Sequence, residues 1–184
     1  MKVSSLATTV IASVLVTASA TSFAKDQGHG VITFKGAVID APCSIAQESQ
    51  YQTVQMDQIS NVALKNGGKS NPTTFKIMLR GCELGALKSA TATFTGSPAS
   101  NPDLLALRGT AQGASLAIAD HTGALIKLGS ASPAQTLSDG DTFLQFNAYL
   151  QGDMVSPGGS GEASPAEIVP GSFEAFANFT LAYQ

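Results

Sequence analysis

The stretch Gly171-Ser-Phe173-Glu-Ala175-Phe-Ala177-Asn-Phe179-Thr-Leu181-Ala-Tyr183-Gln184 closes the sequence and decides the fold. Apolar residues occupy every second position from Phe173 to Tyr183, and mostly polar residues fill the positions between them. A period of two is typical of a β-strand with one buried face and one wetter face. We expect a strand that runs to the end of the sequence to leave its terminus available to a partner. The closing strand of an ordinary β-domain satisfies the same pattern.

Short alternating runs recur upstream of this strand, with turn residues between them. We predict strands over 31–39, Thr53–Met56, Phe75–Arg80, Ala90–Phe94, Ser115–Ala119, Ala124–Leu128 and Thr142–Gln151. Segments rich in Gly, Pro and polar residues predict loops at 66–72, 97–103 and 156–170. Seven or eight short strands with loops between them indicate an all-β sandwich.

The first 24 residues have the composition of a secretory signal peptide. Lys2 provides a positive charge, residues 6–16 are mostly apolar, and Ser22 and Ala24 offer the small residues that a signal peptidase requires. The apolar stretch is too short to span a membrane as a helix. We therefore predict an exported protein that is cut after Ala24, with Ala20 as the alternative site, leaving one domain large enough for a core.

Export gives the two cysteines a simple interpretation. In an oxidising compartment Cys43 and Cys82 are expected to form one disulfide. A zinc site is disfavoured, because the two cysteines and two histidines lack the spacing of metal ligands. A reactive thiol pair would need a closer spacing. We predict no metal and no cofactor.

The composition argues against nucleic-acid binding and against catalysis. The formal net charge is −3, only 12% of residues are charged, and no basic run is present. Nucleic-acid binding is therefore not expected. Acidic residues are scattered and no nucleophile stands in a recognisable catalytic pattern, so we do not expect an enzyme.

The N-terminal segment after the signal peptide has an unusual strand pattern. Gly28, Gly30, Ile32 and Phe34 share one phase, which would give an extended strand with two apolar side chains and two positions without side chains. Glycine weakens a strand but suits a position where another backbone approaches closely. The alternative is an edge strand of the chain's own domain.

Three motifs carry a resemblance to a known family. They are Gly28-x-Gly30-x-Ile32-x-Phe34-x-Gly36 leading into the segment around Cys43, then Phe75-x-Ile77-x-Leu79-x-x-Cys82, and last Gly171 fourteenth from the end with Tyr183 penultimate. With these motifs the whole mature chain resembles the subunits of chaperone–usher pili of Gram-negative bacteria. It is most similar to major rod subunits of the type 1 and P pilus kind.

The resemblance implies a fold, a domain organisation and a mechanism. The fold would be an incomplete immunoglobulin-like β-sandwich that a donor strand from another subunit completes. Residues 25–35 would be the donor extension, carrying Gly28, Gly30, Ile32 and Phe34, and residues 36–184 would be the pilin domain. The strand that borders the groove and binds the chaperone would carry Gly171, Phe173, Ala175, Ala177, Phe179, Leu181 and Tyr183.

The same resemblance implies the partners and the location. A periplasmic chaperone would first supply the missing strand, and at the outer-membrane usher the donor segment of the next pilin subunit would replace it. The product would be a surface fimbria, a homopolymer that supports adhesion. A minor adaptor or a rod terminator is an alternative within the family, whereas a tip adhesin would need a further lectin domain.

A competing hypothesis from another class is a self-contained secreted β-sandwich that binds a carbohydrate or protein ligand. In such a domain the N-terminal segment would pair within its own sheet. Its place in the fold therefore discriminates between the two hypotheses.

Overall fold

The computed structural model describes residues 29–155 and 163–184. The signal peptide predicted at 1–24, the beginning of the donor extension and Gly28 lie outside the described residues. The chain divides into two units between Val38 and Ile39. Helices are short in the described ranges: α1 (Gln47–Gln50), α2 (Asn61–Leu64) and a 3-10 turn at Lys65–Gly67. None of the described helices has the length and apolar character that crossing a membrane requires.

The unit that begins at Ile39 is built from antiparallel strands. In chain order these are β1 (Ser44–Ile45), β2 (Thr73–Cys82), β3 (Ser89–Gly96), β4 (Leu105–Ala106), β5 (Arg108–Gly109), β6 (Ala114–Asp120), β7 (Gln135–Thr136), β8 (Gly140–Gly152), β9 (Met154–Val155), β10 (Ser164–Pro165), β11 (Phe173–Glu174) and β12 (Ala177–Tyr183).

Two main sheets share one core. The larger has the order β1-β2-β8-β6-β4, and the smaller has the order β12-β3-β7. Short ladders also join β11 to β5 and β10 to β9. Within the larger sheet Phe75 lies opposite Phe146 and Ile77 opposite Leu144, so the apolar phase of both strands faces inward. Phe94 of β3 meets Phe146 edge-on with ring centroids 5.0 Å apart, which joins the two sheets.

Four of the predicted strands are confirmed by the structure. The runs Phe75–Arg80, Ala90–Phe94, Ser115–Ala119 and Thr142–Gln151 lie within β2, β3, β6 and β8. Each of these runs has a period of two and belongs to a strand that pairs with another strand on both of its edges.

The prediction of a second hairpin strand at Ala124–Leu128 was wrong. A turn forms as expected, with the Asp120 carboxylate accepting hydrogen bonds from Thr122 N (2.8 Å) and Ala124 N (3.0 Å). Beyond the turn only a single bridge joins Leu125 to Ala119. Gly129 N then donates to Phe94 O (2.8 Å), because the chain crosses to the smaller sheet instead of continuing the hairpin.

The predicted strands at 31–39 and Thr53–Met56 are not strands in the structure, and the long C-terminal strand is interrupted between Glu174 and Ala177. A strand requires a neighbouring backbone to satisfy its N–H and C=O groups. No described residue forms a ladder with 31–39 or with Thr53–Met56. The alternating pattern is present in both segments, but a pairing partner is not among the described residues.

The predicted disulfide is present and ties the first strand to the core. Cys43 and Cys82 are bonded, are both buried, and have Cα atoms 4.2 Å apart. On either side of it, Ala46 N donates to Met78 O and Glu83 N donates to Pro42 O, each at 2.9 Å. The bond therefore fixes the segment before β1 against the end of β2.

Replacing both cysteines with serine (C43S/C82S) should lower the free energy of unfolding by about 3–4 kcal/mol, because the unfolded chain is no longer closed into a loop. Urea denaturation of the mature chain, with and without the substitutions, measures this difference. Reduced wild-type protein serves as the matched control and should show the same loss. An unchanged denaturation midpoint would contradict a stabilising role for the bond.

Candidate interaction site in an open apolar groove

A groove of about 1240 Å³ opens beside the C-terminal strand, in the unit that begins at Ile39. Both main sheets contribute apolar side chains to its floor: Phe75, Ile77, Phe94, Leu116, Ile118, Ala148 and Leu150. Phe75 and Leu116 are only half-buried although they belong to the core layer. Core side chains that water reaches are typical of a surface that another chain covers.

One wall of the groove is formed by residues 169–179, which include β11 and the beginning of β12. β12 pairs with β3 along its whole length, from Ala177 opposite Gly96 to Tyr183 opposite Ala90. It is the outermost strand of its sheet, and no described strand pairs with its other edge. That edge presents unpaired N–H and C=O groups along the groove, as an acceptor for an added strand does.

The opposite wall is formed by residues 49–59. Half-buried Val54 and Met56 alternate here with exposed Thr53, Gln55 and Asp57. This is the burial pattern of a strand without its ladder, which explains why the sequence predicted a strand at Thr53–Met56. Both walls of the groove therefore carry backbone groups that no described strand satisfies.

The groove-edge residues predicted from the sequence divide into two sets. Those at the groove are Gly171, Phe173, Ala175, Ala177 and Phe179. Leu181 and Tyr183 are not part of the groove lining and pack against the core beside it. Partial burial raises the pKa of the Tyr183 phenol above its ordinary value, because the charged form is the harder one to desolvate.

Gly171 occupies a position that has no space for a side chain. A Cβ atom at this position would collide with Thr110 Oγ1 and would lie 2.6 Å from Ala111 N. The neighbouring Ser172 O accepts hydrogen bonds from Thr110 N and Ala111 N, both at 3.0 Å. The glycine thus permits the backbone contact that holds this wall of the groove in place.

The last residue is held by backbone hydrogen bonds. Gln184 N donates to Ser89 O at 2.9 Å, and Gln184 O accepts from Lys88 N at 2.7 Å and from Ser89 N at 3.0 Å. β12 is consequently ordered to its very end, and its free edge is a fixed template.

Sequence reasoning missed one end of the groove. Ile59, Leu107, Ile168 and Phe173 are partly buried and pack against one buried cluster, Leu64, Ala114 and Leu150. Phe173 was predicted, but the other three are single apolar residues in irregular segments, where no periodicity marks them. Only the fold brings them together.

The N-terminal unit is notable for exposed apolar side chains. Val31, Ile32 and Phe34 are 92%, 77% and 89% exposed. A Cβ atom at Gly30 would have nothing within 4 Å. No sheet of the described chain contains a residue before Ser44. The hypothesis of a self-contained domain, in which this segment pairs within its own sheet, is therefore not favoured.

An incomplete immunoglobulin-like sandwich with an open groove at its last strand defines a class of structural subunits. This chain belongs to the fimbrial protein family, whose family model matches residues 32–184. The Fimbria A protein of Serratia marcescens is 57% identical over 162 residues, which cover 88% of each chain.

Solved structures support the same assignment. A chaperone–usher pilus subunit matches with a TM-score of 0.67 at 33% identity, covering 86% of this chain and 97% of that one. The rod subunit PapA of the P pilus matches with a TM-score of 0.63 at 30% identity, covering 78% of this chain and 100% of that one. The chain is a structural subunit of a surface fimbria and, as a member of a non-enzymatic family, is not an enzyme. The predicted resemblance and fold class are confirmed.

Substituting Gly171→Ala should lower the free energy of unfolding by about 1–3 kcal/mol, because the added methyl group forces the wall away from Thr110 and Ala111. Thermal or urea unfolding of the mature chain measures the loss. Gly36→Ala is the matched control, since a Cβ atom there meets nothing within 4 Å. Equal stability of the two variants would show that Gly171 is not in close contact.

Proposed function

We propose that this subunit polymerises by donor-strand exchange, with residues 25–35 of one copy filling the groove of the next. The observation that carries the proposal is that one chain has both an open apolar groove with a free strand edge and an exposed apolar segment outside every described sheet. Each half of this pair leaves apolar surface in water, and joining two copies removes both.

An extended strand is the occupant that suits the groove. β12 has an unpaired edge on one wall, and residues 53–57 have a strand-like burial pattern on the other. A strand added between them would satisfy backbone groups on both sides, which is the physical basis of recognition by β-strand addition. A globular or helical ligand would leave those groups unpaired.

The donor segment has the side chains that such a site requires. Ile32 and Phe34 share one phase, so both would point to the groove floor when the segment is extended. Burying them would contribute roughly 1.5–3 kcal/mol each. Residues 25–35 and the wall at residues 169–179 are eleven residues each, so an extended donor of up to about 36–40 Å can follow the whole wall.

The donor segment and the groove are two different surfaces of one subunit, and this makes the assembly open-ended. Donor and acceptor are different patches of the same chain, so each subunit that accepts a strand still offers its own. Subunits joined through two unlike surfaces form a fibre, unless the rotation between neighbouring subunits closes them into a ring. The subunit would therefore form a homopolymeric rod.

Assembly of this kind needs a partner that covers the groove beforehand. We assign this role to a periplasmic chaperone, which would pair with β12 until an outer-membrane usher presents the next donor segment. Removal of residues 1–24 in the periplasm would free the donor segment. The support for these partners is the exposed edge, which is an aggregation hazard in a monomer, together with the membership in the family.

Substituting Phe34→Asp or Ile32→Asp should abolish polymers, because a carboxylate on the inward phase cannot be buried in the apolar groove floor. The measurement is an SDS gel of surface-sheared material without heating, on which wild-type subunits should form a ladder that collapses to one band on heating.

Thr33→Asp is the matched control, since it adds the same charge one position away on the outward phase. It should retain the ladder at close to wild-type intensity. The subunit variants should still appear in the periplasm as disulfide-bonded monomers, which excludes a folding defect. A normal ladder from both inward-phase variants would refute donor-strand exchange through this segment.

A further inference from the structure

The groove carries charge at only one of its ends. Among its lining residues the charged ones are Asp57 and Glu174, and neither lysine nor arginine is present. Asp57 lies two residues before Ile59, and Glu174 directly follows Phe173. Because Ile59 and Phe173 pack against the same buried cluster of Leu64, Ala114 and Leu150, the two carboxylates lie at the same end of the groove. This is the acidic end, defined by Asp57 and Glu174.

The two carboxylates differ in how far their charge is already compensated. Glu174 lies directly opposite Arg108 in the ladder between β11 and β5, and cross-strand neighbours of opposite charge attract each other. Asp57 is exposed and forms neither an ion pair nor a hydrogen bond with any residue in 29–155 or 163–184. Neither carboxylate forms an ion pair among the described residues, but Glu174 has a cationic residue opposite it in a ladder and Asp57 has none, so the charge of Asp57 is the less compensated one.

A donor strand would bring a positive charge to this end. In an immunoglobulin-like sandwich the strand that completes the sheet lies antiparallel to the strand beside it. The donor's C-terminal end would then lie near Ala177, where β12 begins and where the acidic end is. Lys35 follows Phe34 directly, so with Phe34 pointing to the groove floor Lys35 points outward, toward the exposed rim.

We infer that Asp57 recognises Lys35 of the neighbouring subunit and thereby selects the direction and register of the incoming strand. The inference rests on the proposed function and adds the residue pair that orients it. A strand inserted in the reverse direction, or shifted by two residues, would move the lysine away from Asp57. Charge complementarity of this kind acts on association rate and specificity more than on final stability.

The test uses the full mature chain, refolded from denaturant and allowed to polymerise, with heat-dissociable oligomers followed on SDS gels over time. At low ionic strength Lys35→Asp should assemble about 3- to 10-fold more slowly than the wild type. The difference should shrink at about 500 mM salt, where exposed charges are screened. Lys76→Asp is the control: it makes the same charge change on the outward phase of β2 and should assemble at the wild-type rate.

The charge-swapped chain that combines Lys35→Asp with Asp57→Lys decides the pairing. It should recover most of the rate that either single substitution loses. Because the Lys35 side chain is exposed, its substitution should test the charge pair without lowering the stability of the subunit. A Lys35→Asp chain as fast as the wild type, or a swapped chain as slow as the single variants, would overturn the inference.

The failure of this inference is distinguishable from failure of the proposed function. If Phe34→Asp abolishes polymers while Lys35→Asp assembles normally, strand exchange stands and the charge pair is wrong. If neither substitution has an effect, the groove is not filled by this segment.

Discussion

The free edge of β12, lying along an uncovered apolar floor, is the feature on which the rest of the structure depends. A sandwich buries its core only when both sheets are complete, and here the smaller sheet ends at a strand with unpaired backbone groups. The tight contact at Gly171 holds one wall of the resulting groove in place, the hydrogen bonds of Gln184 fix the end of β12, and the disulfide fixes the segment before β1.

The N-terminal unit is understood best as the other half of the same interaction. Exposed Ile32 and Phe34 have no stabilising role within the described chain. In the groove of another copy they would cover core side chains that otherwise contact water. The acidic end adds a directional element, since apolar burial alone does not distinguish one strand direction from the other. Hydrophobic contacts would then provide affinity, and the charge pair would provide orientation.

Much of this arrangement could be predicted from the sequence. Strands such as Phe75–Arg80 and Thr142–Gln151 could be predicted because each is paired and buries one face, and these two conditions together produce an alternating sequence. Thr53–Met56 has the same period but forms no ladder with any described residue, and in the proposed assembly the donor strand would be its partner. Ile59, Leu107 and Ile168 could not be found, since isolated apolar residues in irregular segments are placed together only by tertiary structure.

Hydrogen exchange of the assembled fimbria, compared with the unassembled mature subunit, tests the central claim most directly. If the N-terminal segment fills the neighbouring groove, amides of residues 29–35 should exchange freely in the subunit and be strongly protected in the fimbria. The amides of residues 53–57 should gain protection at the same time, because the added strand gives them a partner. Free exchange of residues 29–35 in intact fimbriae would contradict the account.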